Sequence, residues 1–129
     1  MMKNAKKDKV IIDTSSMLFA FSNGHDIFEH VMQQMPGHEI LISQGIVNEL
    51  NGIAKEVGAI GITAKTALVA LKVKNINVAA ANISVDSWIF NTATKDKSIS
   101  VVTNDTALIK RLREHGVKAL KFARNGMLK

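Results

Sequence analysis

The sequence has no cysteine and no tyrosine, one tryptophan and one proline. Without cysteine there is no disulfide scaffold, no thiolate metal site and no cysteine nucleophile, so a metal would have to be held by oxygen or histidine. No run of 18 apolar residues exists, which excludes a membrane-spanning helix of ordinary length. The segment Met1 to Lys9 is basic but lacks the apolar core of a signal peptide, so the expected compartment is the cytoplasm. What is present is a chain of 129 residues, 47% of them hydrophobic, enough for one domain that closes its own core. The expected division is a basic tail over 1–8 and a single domain over 9–129. Seventeen Lys and Arg against 11 Asp and Glu leave a net charge of +6, which favours a polyanionic partner.

Five short β-branched or apolar runs punctuate the chain: Val10–Ile12, Glu39–Ile42, Asn75–Ala80, Ser98–Thr103 and Val117–Phe122. Between them the apolar spacing is helical. Met17–Phe21 and Ile27–Met35 are closed by Pro36-Gly37, and Ser43 is placed to cap a helix carrying Ile46, Val47, Leu50 and Ile53. Gly58 and Gly61 interrupt the pattern before it resumes at Thr63. Val85–Lys95 and Thr106–His115 complete the helices, the last stopped by Gly116. Strands and helices in alternation predict an α/β fold, with an open parallel sheet of about five strands covered on both faces. Its working site is expected at the carboxyl ends of the strands.

Two acids occupy those ends. Asp13 directly follows the first strand, and Asp105 follows the fourth within Val101-Val102-Thr103-Asn104-Asp105. Each begins a loop into a helix, where backbone N–H groups favour a negative charge, so capping is the ordinary alternative role for both. Glu49 lies between Val47 and Leu50, which predicts a place near the core boundary. Asp86 falls in the first turn of the helix that starts at Val85. If these four carboxylates share one cleft they repel one another, by about 4 kcal/mol per pair at 4 Å and an effective dielectric of 20. Protonation, basic side chains or divalent cations must then neutralise them, and oxygen donors without thiolates suit Mg²⁺ or Mn²⁺.

The segments Val10-Ile11-Ile12-Asp13-Thr14-Ser15, Gly45-Ile46-Val47-Asn48-Glu49-Leu50, Val85-Asp86-Ser87-Trp88-Ile89 and Val102-Thr103-Asn104-Asp105 together resemble the acidic signature of PIN-domain nucleases. The resemblance runs from Lys9 to about Phe122, and four motifs in register make it specific. The stretch from Thr103 to Val117 is most similar to archaeal members related to the small-subunit rRNA-processing endonuclease; VapC-type toxins share the same acids. The resemblance implies a three-layer α/β/α fold and a metal-dependent endoribonuclease. It makes Asp13, Glu49, Asp86 and Asp105 the matched catalytic and metal-binding residues, with Thr14, Ser15, Thr103 and Asn104 in polar supporting positions. It also suggests a homodimer, and an antitoxin or ribosome-assembly partner according to branch. Two positions depart from the pattern: Ser15 stands where Asn is common, and Ser87 where a second acid often lies.

Eleven of the 17 basic residues lie in the first nine or last twenty positions. Lys110, Arg111 and Arg113, on the helix after Asp105, are the expected contacts to RNA phosphates. With five Phe, one Trp and no Tyr, stacking on bases is not expected to dominate, and binding should depend strongly on salt. Trp88 reads as core or interface rather than a base platform, and His25, His30, His38 and His115 read as scattered surface or loop residues. A phosphotransfer domain with Asp13 as nucleophile expects an acid two residues later, where Ser15 stands. Dinucleotide binding expects glycines that Asp13-Thr14-Ser15-Ser16 does not offer. A PIN-like scaffold without catalysis is the non-enzymatic alternative.

Overall fold

A computed structural model describes residues 7–129. Residues 1–6, with Lys3 and Lys6 of the expected basic tail, lie outside the described residues. The elements follow in the order β1 (Lys9–Ile12), α1 (Thr14–Ser22), α2 (Ile27–Gln34), β2 (Glu39–Ser43), α3 (Gln44–Ile53), α4 (Ala59–Val73), β3 (Asn77–Ala79), α5 (Val85–Thr94), β4 (Ile99–Val102), α6 (Thr106–Glu114) and β5 (Ala119–Leu120). All five strands pair in parallel, in the order β3-β2-β1-β4-β5.

The central strands are buried on both sides, as a parallel sheet between helical layers requires. Val10, Ile11 and Ile12 of β1 and Val101 and Val102 of β4 have no exposed surface. Leu50 of α3, Ala64 and Ala67 of α4, Trp88 and Ile89 of α5 and Leu112 of α6 complete the core. Trp88 is therefore core. Met17 and Phe28 are core as well, whereas Met32 remains 43% exposed. Among the described residues no helix is long and apolar enough to cross a membrane.

Strand order reverses between β1 and β4: the chain proceeds from β1 outwards through β2 to β3, then returns beside β1 and continues to β5. The carboxyl ends of two adjacent strands with diverging connections form the crevice in which open α/β sheets place their ligands. Asp13 follows one of these strands, and Thr103, Asn104 and Asp105 follow the other.

The elements differ from the sequence reading mainly at their ends. β3 and β5 are shorter than the apolar runs that suggested them, and α4 begins at Ala59 rather than Thr63. Gly61 does not interrupt this helix. It is buried within the first turn, where a Cβ would run into the carbonyl oxygen of Glu56, so the position holds glycine for close packing and not for a break.

Candidate active site

Asp13 is the N-cap of α1 and is 6% exposed. Its Oδ1 accepts the Thr14 N–H at 2.8 Å, and its Oδ2 accepts the hydroxyls of Thr103 at 2.8 Å and Ser15 at 3.0 Å. Burial pushes the Asp13 carboxyl above the usual carboxylate range; these three hydrogen bonds oppose the rise, and the charge of Asp86 adds to it. Asp13 is thus tightly oriented yet costly to ionise.

The residues after Asp13 turn through about 100° each as the first turn of α1 forms, so each hydroxyl meets a different neighbour. The Thr14 hydroxyl donates to Glu49 Oε1 at 2.6 Å, tying α1 to α3. Ser15 lies 3.3 Å from the Thr103 hydroxyl, and its Oγ accepts the Asn104 N–H at 3.0 Å. The Ser16 hydroxyl donates to Asn104 Oδ1 at 2.7 Å. Asn104 Oδ1 also accepts the Phe122 N–H at 3.1 Å, and its Nδ2 donates to the Phe122 carbonyl at 3.0 Å. The sequence reading places Ser16 and Phe122 in the chain but does not single out either as a site residue. The four consecutive polar residues from Asp13 to Ser16 were the available signal, but only the fold shows that they are spokes of one network.

Asn104 is the hub between α1 and the chain after β5. Asn104→Ala leaves both Phe122 backbone groups and the Ser16 hydroxyl without this partner, and an unsatisfied buried group costs roughly 1–3 kcal/mol. Urea unfolding is expected to show a loss of about 2–4 kcal/mol on that basis; a loss below about 0.5 kcal/mol, the scale of ordinary surface substitutions, would show the hub to be dispensable.

Of the remaining acids, only Glu49 is placed differently from the expectation. Glu49, in the second turn of α3, is exposed rather than at the core boundary, and the Thr14 hydroxyl tethers it from the buried side. Asp86 is exposed in the first turn of α5, where Ser84 is the cap, and its charge reaches Asp13. Gly45 lets α3 approach α5, because a Cβ there would stand 3.2 Å from Val85 Cγ2. Asp105 caps α6, accepting the Leu108 N–H at 3.1 Å while its own N–H donates to the Thr103 hydroxyl at 3.1 Å.

The structure thus links Asp13, Asp86 and Glu49 through charge and hydroxyls, and joins Asp105 to Asp13 through the Thr103 hydroxyl, which accepts the Asp105 N–H and donates to Asp13 Oδ2. Among the described residues no three His, Asp or Glu side chains stand together as a ready-made metal cage. The donor chemistry still suits a hard cation. Every candidate is a carboxylate, and the buried one is penalised by desolvation and by a neighbouring negative charge, both of which a cation offsets.

The basic residues of α6 divide between two faces. Lys110 and Arg113 face a cavity beside the segment 121–129, and Arg113 donates through Nε at 3.1 Å and Nη2 at 2.8 Å to the Ala119 carbonyl. The Arg111 guanidinium instead lies 3.9 Å from the centre of the Phe90 ring. One continuous track through all three residues is therefore not what α6 presents. The histidines are not all scattered either: the rings of His25 and His30 meet edge-on at 4.8 Å, and both pack against Phe122.

An all-parallel sheet in the order β3-β2-β1-β4-β5, with helices on its faces and a buried aspartate at the β1–β4 crevice, defines an α/β/α fold of the PIN type. The profile of the PIN-like domain family matches residues 10–124, nearly the whole chain, and the protein belongs to that family. It is similar to the solved structure of the PIN domain endonuclease Utp24, with a TM-score of 0.73 and 27% identity over 89% of this chain and 85% of that one. It is also similar in fold to a domain of a functionally unknown protein from Methanocaldococcus jannaschii DSM 2661, with a TM-score of 0.59 and 20% identity over 87% and 89% of the two chains. No curated protein matches the sequence.

Proposed function

We propose that this protein is a divalent-metal-dependent endoribonuclease that hydrolyses phosphodiester bonds of single-stranded RNA. The observation that carries the reading is Asp13: a buried carboxylate, held by three hydrogen bonds at the β1–β4 crevice, with Asp86 close enough to disfavour its charge. The similarity to an endonuclease structure supports the same reaction class. The resemblance of Thr103–Val117 to small-subunit rRNA-processing enzymes favours a role in rRNA maturation.

Asp13, Asp86, Glu49 and Asp105 are the residues that would hold Mg²⁺ or Mn²⁺, with water and substrate oxygens completing the coordination that so few carboxylates leave open. When bound, the cation supplies positive charge that acidifies water and offsets the charge of the phosphodiester. The protein's part is orientation. Thr14 N–H, Ser15 and Thr103 fix both Asp13 oxygens, so the carboxylate points one way without rearrangement when substrate arrives. Thr14 holds Glu49 across the gap between α1 and α3. Asn104 and Ser16 hold the β4–α6 turn in place.

The test is cleavage of a labelled single-stranded RNA in Mn²⁺. Wild-type protein is expected to cut it, EDTA to stop the reaction and restored Mn²⁺ to recover it. Asp86→Asn is expected to slow cutting by about tenfold or more, the scale set by one lost electrostatic group at a reacting centre. Cleavage that persists unchanged in EDTA rules out the metal-dependent reading.

A further inference from the structure

Beside the acidic site, α1, α6 and the segment 121–129 line an open cavity of about 880 Å³, within the size range of ligand sites. Lys110, Arg113, Lys121, Arg124 and Lys129 line it, against a single acid, Glu114. Phe19, Ile109 and Ala123 give it apolar walls. The cavity is fixed to the acidic network in two ways: it begins at Thr106, next to Asp105, and Phe122 on its wall is hydrogen-bonded through both backbone groups to Asn104. From Thr106 to Arg113, α6 carries it about 10 Å away from the carboxyl ends of the strands.

We propose that this cavity is a binding subsite for the nucleotides of single-stranded RNA that flank the bond to be cut, a reading that rests on the nuclease function above. The cations match phosphates, and the apolar walls match the ring faces that unpaired bases expose and a duplex hides. Arg113 is held rigidly by the Ala119 carbonyl, so its charge is positioned before the strand arrives. The subsite adds Lys121, Arg124 and Phe19 to the residues that meet RNA and leaves out Arg111, which is engaged with Phe90 on the other side of α6. An acidic peptide would satisfy the cations but not the connection to the acidic network, so it is the competing occupant.

The experiment measures binding without cutting: fluorescence anisotropy of a short labelled oligouridylate with the Asp13→Asn protein in EDTA. The Lys110→Ala/Lys121→Ala/Arg124→Ala variant changes three exposed side chains. It is expected to bind at least about tenfold more weakly, with a shallower salt dependence, since each single-strand phosphate contact contributes roughly 0.7 to the slope. Lys72→Ala/Lys95→Ala/Lys97→Ala removes the same charge where α4 and α5 lead into β3 and β4, at the amino ends of the strands and so at the edge of the sheet opposite the site; binding by this variant is expected to stay unchanged. In the protein carrying only Asp13→Asn, oligouridylate should shift the backbone amide resonances of Thr106–Arg113 and Lys121–Lys129. Equal losses in the two triple variants, amide shifts elsewhere, or tighter binding of polyglutamate than of oligouridylate each overturn the subsite. Binding here by a protein that never cuts RNA overturns the nuclease reading alone. Cutting by a protein whose RNA binding survives the first triple substitution overturns the subsite alone.

Discussion

Asp13→Asn is expected to lower cleavage of single-stranded RNA at least about 100-fold, the scale of losing one preorganised charge at a reacting centre, while the protein stays folded and withstands heat better at neutral pH. The two effects have one cause. Asn keeps an oxygen for the Thr14 N–H and a polar group towards Ser15 and Thr103, so the geometry survives while the charge is lost. Because burial raises the Asp13 pKa in the folded protein, the native state holds its proton above pH 3.8, where the unfolded chain has begun to release it. The stabilisation this gives is complete below the unfolded value and is lost as pH rises through the folded one. In metal-free protein the melting temperature of Asp13→Asn should therefore pull ahead of wild type as pH climbs above 3.8, and the gap should level off once Asp13 is ionised. A gap that closes as pH rises, or normal cleavage by the variant, would remove Asp13 from its proposed place.

Phe122→Ala should give the largest loss of stability, about 3–5 kcal/mol as for other buried phenylalanines, or a fall in melting temperature of roughly 10–20 °C for a domain of this size. Phe122 has no exposed surface although it follows the two-residue strand β5, near the end of the chain. Its ring meets His25 at 5.7 Å and His30 at 5.5 Å, and its backbone is clasped by Asn104. Calorimetry should show one transition at lower temperature, because removing this ring loosens α2, the segment 121–129 and the Asn104 hub together. Two separate transitions, with the main one unmoved, would mean that the terminal segment only decorates a core that is complete without it.

Much of the framework was legible in the chain because it rests on local physics. Apolar runs of β-branched residues, each followed by helical spacing, can bury their surface only as a parallel sheet between helices, so Val10–Ile12 and Ile99–Val102 became central strands as expected. The caps at Asp13, Ser43 and Asp105 followed from their residue type beside an apolar helix face. Two of the acids were visible too, since Asp13 directly follows β1 and Asp105 comes three residues after β4, in the loops at the ends of two apolar runs. The lengths of β3 and β5 were not, because apolar side chains near a sheet edge can be partly buried without their backbones entering the ladder.

Sequence by itself determined the order of elements and the family, both properties that residue type and spacing along the chain carry. Only the tertiary structure decided how those residues are used. It buried Asp13 and left Glu49 exposed on a tether from Thr14, and it sent Arg111 and Arg113 to opposite faces of one helix. The reason is that charge, burial and hydrogen bonding act through space: Ser16, Asn104 and Phe122 form one unit across 106 positions of chain because three separate turns deliver them to the same few ångströms.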